Sequence, residues 1–93
     1  MILIDNISTL PNPRSEIKWD AYLATVYAEG FNEGENATPE ETIEGWAYLI
    51  GTKMYLSLQG SFGRTSVQLM EHCFITEDGT IDWDNVDNEI KHT

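Results

Sequence analysis

Between Gly45 and Met70 the chain carries no acidic residue, and Lys53 and Arg64 are the only charges there. Everything outside that window is acidic. Residues 1–44 hold nine acids and two bases, and residues 71–93 hold seven acids and one base, so segments of net −7 and −6 flank a middle of net +2. A chain of 93 residues makes one domain and buries only about 60–65% of the surface it exposes when unfolded. The charge-poor middle must therefore supply much of the core. Two arrangements satisfy this layout: acidic segments wrapped as solvated flanks around a buried centre, or two acidic surfaces folded onto one side. Three Trp, four Tyr and three Phe suit a small core, because each ring removes about 150–250 Å² from water.

Local signals point to a mainly α-helical, compact single domain of three or four short helices, with one small β-hairpin as an open addition. Ile2, Ile4 and Ile7 alternate as in a short edge strand, and Pro11 and Pro13 stop any regular element, so residues 1–14 are expected to be an extended N-terminal segment. Ser15 is a suitable N-cap with Glu16 in the first turn, and Ile17, Ala21, Ala24 and Ala28 recur every three or four residues. This predicts a helix over 16–29, closed by Gly30. Thr38-Pro39-Glu40-Glu41 reads as a capping box with proline at the first helical position. Ile43, Trp46, Ala47 and Ile50 then share a face, which predicts a helix over 39–52. Gly45 and Gly51 either weaken that helix or admit a close neighbour. Residues 54–59 fit a strand or a loop.

From Ser61 a third helix places Phe62, Ser66, Leu69, Met70 and Cys73 on one face. Asp78-Gly79 is a tight-turn signal, with Ile75 and Ile81 placed to pair around it. Asp82 caps a last helix in which Trp83, Val86 and Ile90 line up. The tail 91–93 is expected to fray.

The motifs that could carry chemistry fail on spacing. With Gly79 at the sixth position of a calcium loop, the first, third and twelfth positions are Phe74, Thr76 and Asn85, which lack the required carboxylates. Gly60-Ser61-Phe62-Gly63-Arg64-Thr65 has Leu58 and Arg64 where a phosphate loop needs glycine and lysine. His72 and Cys73 are adjacent, so on a helix they point about 100° apart. Cys73 reads as a small core residue and His72 as a surface one; His92 lies in the tail. A single cysteine forms no internal disulfide and suits a reducing compartment. No catalytic residue, metal or cofactor is expected, and neither is a signal peptide or membrane span. Direct nucleic-acid binding is disfavoured, since five bases against sixteen acids cannot line a phosphate backbone.

The run Leu58-Gln59-Gly60-Ser61-Phe62-Gly63-Arg64-Thr65, then Leu69-Met70-Glu71, with Trp46 to Ile50 upstream, resembles small bacteriophage proteins. These carry Leu-Gln-Gly, an aromatic, Gly-Arg and a short helix ending Leu-(Ile/Met)-Glu. The resemblance spans about a third of the chain. It implies a phage origin and a host bacterial cytoplasm, and brings no known activity or site.

The expected function is non-enzymatic. Sixteen carboxylates match the charge on about 27 Å of duplex, and a small domain displaying them could inhibit a host protein with a basic surface, a nucleic-acid-handling or defence protein, by mimicking DNA. The candidate contacts are Glu33, Glu35, Glu40, Glu41 and Glu44, with Asp78, Asp82, Asp84 and Asp87. The alternative is a structural or assembly protein that oligomerises or docks through an aromatic-rich face including Trp46, Tyr48 and Tyr55.

Overall fold

The first helix begins at Asp20, five residues later than the Ser15 cap predicts. The computed structural model of the chain describes residues 10–58 and 60–91, the side chains of 90 and 91 excepted. The suggested strand at Ile2, Ile4 and Ile7, and His92, lie outside the described residues. Helix α1 spans Ala21–Glu29, and Asp20 caps it by accepting from the Leu23 N–H at 2.8 Å. The Ser15 hydroxyl accepts from the Ile17 N–H at 3.2 Å, but residues 16–20 form no helix, so the predicted helix over 16–29 is shorter at its start. Gly30 closes α1 as expected, with φ 79° and its N–H donated to the Val26 carbonyl.

Helix α2, Pro39–Gly51, forms as the sequence predicts. Thr38 Oγ1 accepts from the Glu41 N–H at 3.2 Å, while Glu41 accepts from the Thr38 N–H at 3.0 Å. This is the central helix: Glu44, Gly45, Ala47, Tyr48, Leu49 and Ile50 are all buried. Gly45 admits the neighbour, since a Cβ there would lie 3.2 Å from the Ala24 carbonyl of α1.

Residues 54–57 resolve the ambiguity of that stretch as a short 3₁₀ turn, Met54–Ser57. Helix α3 spans Gly60–Glu71. It stops short of Cys73, which has φ 64° and is exposed. The reading of Cys73 as a core residue is therefore incorrect: the helix ends one turn too early to carry its thiol inward. His72 is exposed, as expected. The expected hairpin reduces to a single antiparallel bridge, Ile75 to Ile81, around Asp78-Gly79. Helix α4, Trp83–Lys91, follows, with Asp82 accepting from the Asn85 N–H at 3.1 Å. Among the described residues there is no strand, and the fold is mainly α.

The core joins Leu10, Trp19 and Ala24 to the buried face of α2, to Phe62 of α3 and to Ile75, Ile81 and Val86. Trp19 meets Tyr27 edge-on with centroids 4.9 Å apart, and Trp46 packs on Phe62 at 5.6 Å. Tyr48 is only 7% exposed, so the aromatic face suggested for docking is largely turned inward.

Two glycines separate packing from helix propensity. A Cβ at Gly34 would overlap the Val26 carbonyl and lie 2.6 Å from Tyr27 Cα, whereas one at Gly63, inside α3, meets nothing within 4 Å. Gly34→Ala should destabilise by about 1–3 kcal/mol, and Gly63→Ala should stabilise by about 1 kcal/mol, both read from urea midpoints. Burial, reinforced by the Asp20 carboxylate, holds the Tyr48 phenol above its ordinary value of 10.0. A phenol raised on folding stabilises fully below its unfolded value and loses that contribution as pH rises through the folded one. Wild-type stability should therefore fall above about pH 10, and Tyr48→Phe should flatten that fall in urea titrations at successive alkaline pH values.

Candidate functional site

Residues 10–20, which contain Pro11 and Pro13, form no helix, and side-chain hydrogen bonds hold this strap in place. The Asn12 amide pairs with the Ile81 backbone in both directions, donating to its carbonyl at 2.7 Å and accepting from its N–H at 3.0 Å. The Trp83 indole N–H donates to the Asn12 carbonyl at 2.7 Å. The strap is thereby fixed beside α4.

The next turn of the strap closes on Glu44. This glutamate occupies the buried stripe of α2, one turn before Ala47 and Tyr48, and is 0% exposed. Its Oε2 accepts the backbone N–H groups of Arg14 and Ser15 at 2.7 and 2.8 Å. Its Oε1 accepts the Ser15 hydroxyl at 2.6 Å and the Trp19 indole N–H at 3.1 Å. Four neutral donors thus surround one buried carboxylate, which is the condition under which a charge is tolerated away from water.

Arg14 turns its side chain outward from this point. Its two terminal nitrogens each bond an Asp87 oxygen at 2.9 Å, and its guanidinium carbon sits 4.3 Å above the Trp83 ring. The bidentate bond to Asp87 is the main cause holding this guanidinium still more firmly protonated. Burial opposes that shift, while the fields of Asp87, Glu40 and Asp84 add to it.

Of the nine predicted contact acids, Asp87 bonds Arg14 directly, and the fields of Glu40 and Asp84 reach the same guanidinium. Glu44 lies behind them but is enclosed, so its assignment to a binding surface is corrected: it is a structural acid. Glu41 completes the capping box and Asp82 caps α4. Asp78 belongs to the turn. It accepts from the Thr76 hydroxyl and, at 3.1 Å, from the Thr80 N–H, and these bonds lower its pKa. Glu33 accepts the Tyr22 hydroxyl at 2.8 Å, which is the main reason the Tyr22 pKa is raised. Glu35 is exposed beside Glu33 at the end of the Asn32–Gly34 turn. Apart from the enclosed Glu44, the candidate acids are spread over α4 beside Arg14, the start of α2, the corner after α1 and the 76–82 turn.

Sequence reasoning missed Asn12, Arg14, Ser15 and Trp19. The available signal was a glutamate on the apolar stripe of α2 preceded by a proline-bracketed segment rich in donors. Among the described residues no group of three or more His, Cys, Asp or Glu side chains is placed to hold a metal, and no helix is long and apolar enough to cross a membrane.

These features define a small α-helical domain with a strap-closed acidic cluster. Residues 30–90 match the family described as a domain of unknown function (DUF7417), and the chain belongs to that family. No curated protein and no solved structure matches the chain. The matched region includes Glu44 and the acids around Arg14, but not the strap residues that donate to Glu44.

Removing the acceptor should expose what the strap contributes. Glu44→Leu should lower stability by about 3 kcal/mol or more, because it leaves several enclosed donors unpaired, whereas Ser15→Ala should cost about 1–2 kcal/mol. Urea unfolding of the two variants beside the wild type measures both.

Proposed function

We propose that the chain is a non-enzymatic acidic accessory protein that binds a basic, nucleic-acid-handling or defence protein of a bacterial host, presenting carboxylates in place of DNA phosphates. The observation that carries this reading is the negative field that Glu40 of α2 and Asp84 and Asp87 of α4 set up at one guanidinium, on a chain of net charge −11. A field of that sign attracts a cationic groove and speeds encounter in a salt-dependent way. The likeness of the Leu58–Glu71 run to small phage proteins supports a phage origin and a host cytoplasmic setting.

The assembly reading, through Trp46, Tyr48 and Tyr55, has less to recommend it. Tyr48 is buried, and Trp46 and Tyr55 pack against the core.

The test is capture from bacterial lysate at low salt, with the wild type beside a Glu40→Lys/Asp84→Lys double variant. The expected result is a basic nucleic-acid-binding protein that salt elutes, duplex DNA displaces and the double variant fails to retain, with the variant's circular dichroism unchanged. Equal capture by both proteins, or a partner indifferent to salt and DNA, overturns the proposal.

A further inference from the structure

Gly60, Arg64, Val67 and Glu71 recur every three or four residues along α3, and all four are exposed. At 100° per residue they form a stripe about 60° wide on the outside of the helix. The opposite side is the packed one, where Phe62 and Ser66 are buried. Val67, in the middle of the stripe, is 43% exposed. Gly63 beside it has open space where a side chain would stand, so the centre of the stripe is flat and apolar. The 54–57 turn packs against α3, carries no charge and leaves Leu56 70% exposed.

The stripe carries two charges of opposite sign. Among the described residues the Arg64 and Glu71 side chains make no hydrogen bond or ion pair. A terminal Arg64 nitrogen lies 3.8 Å from the place of a Gly60 Cβ. The guanidinium therefore rests along the stripe toward the start of the helix, while Glu71 stands at its end. Glu29 shares a hollow with Ser61 and Thr65, about a quarter turn round the helix from the stripe. Helices α1, α2 and α4 each carry more acids than bases, whereas the charges of α3 cancel. A chain of net charge −11 repels its own copies over most of its surface, and α3 is the helix across which two copies meet with least repulsion.

We propose that this stripe pairs with itself in a second copy of the chain, α3 running antiparallel to α3 about a two-fold axis near Val67. The charges select that direction. Arg64 precedes Val67 by three residues and Glu71 follows it by four, so reversal sets Arg64 against the partner's Glu71, and symmetry makes the pair twice. A parallel pairing would set like charge against like at both positions. Gly60 and Gly63 let the two backbones approach, and Val67 meets its own copy. One face of a twelve-residue helix buries less than the roughly 1,200 Å² of a standard interface, so the dimer is weak and depends on concentration. The inference goes beyond the reading of the chain as a binder of basic proteins, and it uses none of Trp46, Tyr48 and Tyr55.

The test is sedimentation equilibrium of the intact chain from micromolar to millimolar concentration. Salt is held at about 0.15 M, where charges more than about 8 Å apart are largely screened and the facing ones dominate. The wild type should move from monomer toward dimer. Arg64→Glu and Glu71→Arg should each weaken association by about tenfold or more, and the double exchange Arg64→Glu/Glu71→Arg should restore it, with circular dichroism unchanged throughout. Glu71→Arg is the decisive single variant, because it lowers the net negative charge and would strengthen any association limited by overall repulsion.

A wild type that stays monomeric at millimolar concentration overturns the proposal. So does association that Glu71→Arg strengthens or leaves unchanged, or that the double exchange fails to restore. None of these results bears on capture of a basic partner by the acidic surface.

Discussion

Glu44 sets the terms for the rest of the molecule. A carboxylate removed from water is costly unless its lone pairs are filled, and nothing else on α2 fills these. The four donors come from Arg14, Ser15 and Trp19. The Arg14 and Ser15 backbone N–H groups are available because the strap does not spend them in a helix. The Ser15 hydroxyl serves two partners, donating to Glu44 while accepting from the Ile17 N–H.

The same closure builds the outer surface. With its backbone N–H held against Glu44, Arg14 can only extend outward, where Asp87 and the Trp83 ring receive its guanidinium. That cation is bonded by Asp87 of α4 and lies in the field of Glu40, an acid of α2 distant in sequence. A surface pair of this kind adds little stability on its own. Its consequence is geometric: it ties the strap to α4. The family match runs from residue 30 to 90, so in this chain the matched unit encloses its buried carboxylate only with the help of residues that precede it.

What was legible beforehand was local. The capping box at Thr38 and Glu41, the left-handed Gly30, the Asp82 cap and the Asp78-Gly79 turn each depend on atoms within a few residues, and each stands as the sequence indicates. The errors share a different cause. Ser15 is as good a cap as Asp20 by composition and accepts from the Ile17 N–H, yet residues 16–20 do not coil into a helix. Cys73 continues the apolar spacing of α3, but the chain turns at positive φ after the helix ends, and the periodicity runs past the backbone that would support it. Residues 54–57 alternate like a strand but coil into a 3₁₀ turn.

The sequence by itself determined the helical class and the strongly negative charge, because these follow from residue type and short-range spacing. It could not rank the acids. Nine carboxylates looked interchangeable as surface contacts; the fold encloses Glu44, commits Glu41, Asp78 and Asp82 to local bonds, and sets Asp87 against Arg14. That sorting belongs to tertiary structure because a carboxylate's state depends on which donors and cations reach it in space. Here the decisive ones lie about 30 residues away for Glu44 and more than 70 for Asp87.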